Sequence, residues 1–250
     1  MSIQILTGWA MAALLLSLRI GPVFIIAPPF SQTQVPARVR VLLVLALAAC
    51  FADTAPVYVL HDGAALALAV ASELLLGLAI AFAFQAAFAS LSFAGRVLDV
   101  QAGYGLATVI DPGSRAQAPM FGTIMTMLGG LLFFAGNGHR ELLTLLASLI
   151  RLMPAGSARL PGDPQAFISY FGVVMALGLA SIAAVMVCLF TIDLTIAFLS
   201  RTLAQMNALM LGLQVKTIVT LFVMSMSVGI MAPVVLQLMN SALRFVPSLN

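Results

Sequence analysis

Residues Gly95 to Pro119 read GRVLDVQAGYGLATVIDPGSRAQAP, a polar, glycine-rich stretch between two apolar segments of membrane length. It carries Arg96, Asp99, Gln101, Asp111 and Arg115, with Gly95, Gly103, Gly105 and Gly113 among them. Such backbone cannot face hydrocarbon, where unpaired amide groups find no water to bond. The stretch is therefore either a solvated loop or irregular chain held inside protein, and the choice decides the architecture around it.

The surrounding chain is extremely apolar. Of 250 residues, 62% are hydrophobic and 8% are charged, with a mean hydropathy of +1.15. A soluble domain carries about 25% charged residues, so this composition predicts an all-α membrane protein. The net charge of +3, from 11 basic and 8 acidic residues with Lys216 the only lysine, is too small and dispersed for a nucleic-acid footprint. Cys50 and Cys188 lie far apart in apolar runs and read as small core residues. The N-terminus lacks a positive n-region, and Arg19 interrupts its apolar run, so the first segment is expected to stay in the mature protein.

About six apolar segments are expected to be long helices, roughly 5–27, 41–60, 66–93, 117–136, 167–200 and 217–243. The runs Pro164–Ile192 and Thr217–Leu243 are longer than a hydrocarbon thickness of about 30 Å requires, and must tilt, break or project from the bilayer. Pro28-Pro29 is expected to end the first helix, and Pro36, Arg38 and Arg40 to open the second. His61-Asp62-Gly63 and Asn137 to Glu141 read as polar turns, and Pro154 to Pro164 as a solvated loop marking an internal boundary.

The charged residues Arg19, Glu73 and Asp193 and the amide Gln85 stand out inside apolar segments. A charge at a helix centre costs roughly 2.5–3.5 kcal/mol on insertion scales, so each of the three charges should face protein or water. They read as structural or partner contacts, with a proton or ion path as the sharper alternative. Gln85 can bond across helices, and Gly77, Ala81, Ala83 and Ala87 on the same helix permit close approach. No catalytic constellation, metal-ligand spacing or phosphate-binding loop occurs in the sequence; Asp111-Pro112-Gly113-Ser114 reads as a turn. The expectation is a protein that is not an enzyme and uses neither metal nor cofactor.

Taken in order, the residues resemble the FliR/SctT family of type III secretion export-gate proteins. The resemblance is carried by Arg19-Ile20-Gly21-Pro22, Pro28-Pro29-Phe30, VPARVR at 35–40, Glu73 to Gly77, and Gln85 to Ala89 leading to Ala94-Gly95. Its strongest part is Gln101-Ala102-Gly103, Ala107-Thr108, Asp111-Pro112-Gly113-Ser114 and Pro119. Asn137-Gly138-His139 and then Arg201, Gln205, Asn207, Gly212 and Lys216 complete it.

The resemblance implies nested helical hairpins, with residues 1–160 like the partner protein FliP and 161–250 like the two-helix partner FliQ. It implies a gate subunit that forms, with FliP and FliQ homologues, a pore for unfolded flagellar substrates in the bacterial inner membrane at the flagellar basal body. FlhA and FlhB homologues, exported polypeptides and lipid would be further partners. It also makes 95–119 the loop that plugs the pore, through Gly103, Tyr104, Gly105, Leu106, Val109, Ile110, Asp111, Pro112 and Gly113. Some flagellar relatives carry phenylalanine where Leu106 and Val109 stand, and proline near Ala204 and Gln214; the helix after Arg201 is expected to run straighter here. A virulence-type gate subunit and a polytopic secondary transporter are the alternatives.

Overall fold

The computed structural model describes residues 3–28, 30–32, 35–53, 63–104, 119–158, 163–202 and 208–247. Among them the secondary structure is helical throughout. In chain order the helices are α1 (Ile3–Ile25), α2 (Ala37–Ala52), α3 (Gly63–Gln101), α4 (Met120–Ala135), α5 (Gly138–Leu152), α6 (Pro164–Ser181), α7 (Ala183–Thr202) and α8 (Ala208–Phe245). Runs of leucine, alanine and methionine lose little side-chain freedom in a helix, and the helices run through Pro22 in α1 and Pro233 in α8. α1 stops at Ile25, three residues before Pro28-Pro29, and Pro36 stands immediately before α2. The Arg40 guanidinium donates from Nη1 to the Ile25 carbonyl at 2.8 Å and so satisfies the open end of α1.

Five of these helices are long and apolar enough to cross a membrane, or six spans form if α4 and α5, bent by 68° to each other, count as one. The lengths depart from the sequence expectation in several places, among them α8, which begins at Ala208 rather than near 217. α3 runs on to Gln101, because Arg96, Asp99 and Gln101 are tolerated in a helix and Gly95 disfavours it by only about 1 kcal/mol. With 39 residues it is about 58 Å long, and α8 with 38 residues about 57 Å. The segment expected at 41–60 is a 16-residue helix ending at Ala52, and 54–60 lie outside the described residues. The run expected at 167–200 is interrupted at Ile182, giving α6 and α7. His139, Arg140 and Glu141, expected in a turn, form the start of α5.

The chain builds two compact units, each from segments distant in sequence. The first comprises Met1–Ala86, Phe133–Phe171 and Met239–Asn250; the second comprises Ala87–Leu132 and Gly172–Leu238. α3, α4, α6 and α8 each contribute residues to both. In the first unit, Leu15, Leu16, Ile20, Leu76, Ile80, Phe84 and Leu146 are buried. The Tyr170 hydroxyl donates to the Ala83 carbonyl at 2.8 Å, and its ring lies 4.3 Å from that of Phe245. These contacts join α6, the first half of α3 and the end of α8. In the second unit, Phe88, Leu91, Leu98, Phe121, Met125, Val185 and Val235 are buried.

Apolar surface remains exposed on the outside of both. Leu42, Leu68, Met127, Ile168, Phe190, Phe222 and Ile230 are all more than 60% exposed. Soluble monomers rarely expose contiguous apolar patches beyond a few hundred Å², so these faces meet lipid or other apolar helices. Cys50 and Cys188 are free and exposed, which corrects their reading as core residues: each points outward from a helix whose exposed face is as apolar as its buried one.

Candidate functional site

In the first unit the structure brings together Arg19 of α1 and Glu73 of α3. Arg19 Nε donates to Glu73 Oε2 at 2.6 Å and Nη2 to Oε1 at 2.8 Å, a two-pronged pair with both side chains wholly buried. Arg19 Nη1 also faces the last carbonyls of α5, at 2.9 Å from Met153 O and 3.4 Å from Leu149 O. A cation is well placed there, because the helix C-terminus carries partial negative charge. Glu73 Oε1 further accepts the Gly156 N–H at 2.7 Å. Gly156 has φ +86°, so the turn that presents this donor suits glycine. The start of the 154–164 segment is thus packed rather than solvated: Ala155 and Ala158 are buried and Gly156 is tied to Glu73.

One helical turn beyond Glu73, Gly77 explains how α1 and α3 come close enough for this pair. A Cβ at Gly77 would collide with the Arg19 carbonyl and lie 2.9 Å from the Leu18 carbonyl. Within α1 the Leu18 carbonyl would ordinarily accept from residue 22, and Pro22 has no N–H to give. The carbonyl that proline leaves open therefore faces the bare backbone of α3. Gln85, farther along α3, is exposed.

The second unit holds the base of the segment singled out in the sequence. Gly105, Leu106, Val109, Ile110, Asp111, Pro112 and Gly113 lie outside the described residues; Gly103 and Tyr104 do not. α3 ends on Gly103 with φ +89°, its N–H bonded to the Val100 carbonyl at 3.2 Å. A left-handed glycine is a common way to stop a helix. A Cβ here would also stand 2.6 Å from Leu213 Cδ2. The chain returns at Pro119, whose carbonyl accepts the first helical bond of α4 from Thr123 at 2.9 Å.

Asp99 joins the two ends: its Oδ1 accepts the Phe121 N–H at 3.1 Å, while Oδ2 is buried with no hydrogen-bond partner among the described residues. The carboxylate supplies one of the acceptors that the first turn of α4 lacks, and the helix dipole favours its charge. The Tyr104 and Phe121 rings pack edge to face at 5.7 Å. At Gly95 the two backbones touch, since a Cβ would overlap the main chain of Phe121 and Gly122. The described residues on either side of 105–118 therefore pack against each other.

Asp193, the remaining charged residue inside an apolar segment, pairs with Lys216, joining α7 to α8. Sequence reasoning placed both residues and missed the pairing. Its signal was the reversal between α7 and α8: residues 193 and 216 are nearly equidistant from position 204. Asp99 was likewise visible as a polar residue in the opening stretch, but nothing in the sequence named Phe121 N–H as its partner.

Comparison with known proteins bears out the family resemblance read in the sequence. The family model for bacterial export proteins, family 1, matches residues 10–242. The chain is 30% identical over 219 residues to the flagellar biosynthetic protein FliR of Escherichia coli (strain K12), covering 86% of this chain and 84% of that protein. It is 27% identical over 229 residues to FliR of Bacillus subtilis (strain 168), with 90% and 88% covered. It is 25% identical over 164 residues to the Yop proteins translocation protein T of Yersinia pestis, with 64% and 62% covered. With nearly its whole length matched and an all-helical, multi-span fold, the chain belongs to family 1 of the bacterial export proteins.

Proposed function

We propose that this protein is the FliR-type subunit of a flagellar type III export gate in the bacterial inner membrane. In this reading it assembles with FliP and FliQ homologues around a pore for unfolded polypeptides, next to FlhA and FlhB homologues. The observation that carries the reading is the likeness to the Escherichia coli FliR along 86% of the chain. The smaller share matched by the Yersinia protein, 64%, favours the flagellar system over a virulence one. Exposed apolar residues on most helices suit burial against other subunits. Residues 1–160 would correspond to a FliP-like part and 161–250 to a FliQ-like hairpin.

Within the assembly, residues 103–113 serve as the plug, with Leu106, Val109 and Ile110 as its apolar constriction. A hydrophobic constriction excludes water and ions by dewetting and can still part for a chain. The closed base formed by Asp99, Tyr104 and Phe121 supports this reading, because it fixes both ends of the segment. The transporter reading is weaker: Arg19 and Glu73 are engaged with each other and with backbone, and Asp193 with Lys216.

Two experiments test the proposal. In a flagellated host lacking its own FliR, this chain together with FliP and FliQ homologues from the same source should restore swimming and should co-purify with both. Failure to co-purify would remove the gate reading. Deleting Val109 and Ile110 should leave assembly intact and make the complex conduct small ions; unchanged conductance in assembled complexes would remove the plug.

A further inference from the structure

Residues Gly212 to Thr217 of α8 touch two different helices along two neighbouring stripes. Gly212 and Lys216, four residues apart, face α7: Lys216 pairs with Asp193, and a Cβ at Gly212 would stand 3.3 Å from Ile196 Cδ1. Leu213 and Thr217, also four apart, face the end of α3. Leu213 fills the space left by the absent Cβ of Gly103. The Thr217 hydroxyl lies 3.3 Å from the Ala102 carbonyl and 2.9 Å from its own helix's Leu213 carbonyl, and shares its one proton between them. Residues four apart share a helix face, and a shift of one residue turns that face by about 100°. One turn and a half of α8 thus holds α7 on one side and the base of the 105–118 segment on the other.

The two sides differ in how firmly they fix the position of α8. Against α3 the contacts are a leucine over a glycine and a shared hydroxyl proton. Against α7 there is an ion pair amid exposed apolar side chains such as Leu194 and Ile218. The Lys216 and Asp193 side chains are 19% and 38% exposed on this apolar face, where charges interact more strongly than in bulk water, and a slip of α8 by one turn, about 5.4 Å, would separate them.

We propose that Lys216 and Asp193 are positioning residues for the base of the 105–118 segment. Their ion pair sets the register of α8 along α7, and that register sets where Leu213 and Thr217 meet Ala102 and Gly103. Any consequence for export rests on the gate reading above; the positioning itself does not.

Hydrogen exchange on the full chain in detergent tests this directly. The amides to follow are Ala102 and Gly103, bonded to the Leu98 and Val100 carbonyls, with the Met153 amide, bonded to Leu149, as the internal reference. Lys216→Ala and Asp193→Ala should each speed exchange at Ala102 and Gly103 at least fivefold and leave Met153 within twofold. The double alanine variant should exchange no faster than either single one. The exchanged pair Lys216→Asp with Asp193→Lys should return the rates to within twofold of the original, and Lys216→Arg should barely change them. If Lys216→Ala does not fold, Lys216→Met keeps the stem without the charge and replaces it.

Unchanged rates at Ala102 and Gly103 in the single variants would overturn the proposal. So would an equal acceleration at Met153, which would mean general loosening, or a folded exchanged pair that fails to restore the rates. The readout needs no secretion, so it fails separately from the export reading, which co-purification and swimming decide.

Discussion

Arg19 and Glu73 show what a buried charge requires. Each was visible in the sequence as an expensive residue in an apolar segment; their partnership was not, because 54 residues separate them. Removing one partner leaves the other buried and unpaired. Glu73→Ala should therefore lower stability in detergent by about 3–5 kcal/mol. The double variant Arg19→Met with Glu73→Leu should cost less than Glu73→Ala alone, since it strands no charge. Chemical denaturation of the three variants checks the order. Its physical basis is that a guanidinium also bonded to Met153 O cannot turn to solvent when its carboxylate is lost.

Cys50 and Cys188 make the complementary case. Their apolar neighbours suggested burial, but hydrophobic patterning does not separate inside from outside when both are apolar. Both thiols should react with a small maleimide in the detergent-solubilised, folded chain, giving two labels per molecule by mass. Labelling only after denaturation would contradict their exposure.

At the scale of the element, glycines decide which helices touch. Gly77 and Gly95 sit where backbone meets backbone, while Gly172 and Gly229 have nothing within reach of an added Cβ. Gly77→Ala should sharply reduce the yield of monodisperse protein by size exclusion, because a carbonyl cannot move aside as a side-chain tip can. Gly172→Ala and Gly229→Ala should be neutral or stabilise the isolated chain by about 0.5–1 kcal/mol, the usual helix preference for alanine. Gly103→Ala should cost about 1–2 kcal/mol from its left-handed backbone alone, with more from the contact with Leu213; thermal unfolding of the purified chain measures it. Gly77 was legible as a small residue suited to close packing. Which of the 19 glycines are contact points was not, because alanine and glycine are spread through every segment.

At the scale of the whole molecule, the sequence by itself determined that this is an all-α membrane protein. Composition alone leaves too few polar residues to coat a soluble surface, and proline and glycine placed most helix ends within a few residues. The order of short motifs also pointed to the export-protein family that the wider comparison establishes.

Tertiary structure decided the rest. It extended α3 into the polar stretch at 95–101, split the run at Ile182, and bent α4 against α5 by 68°. It also drew each compact unit from distant segments. These features depend on contacts between residues far apart in the chain: Asp99 on the first turn of α4, Lys216 on Asp193, and Arg19 on the end of α5. Local preference fixes a helix; only the partner across the contact fixes which carbonyl, amide or carboxylate it meets.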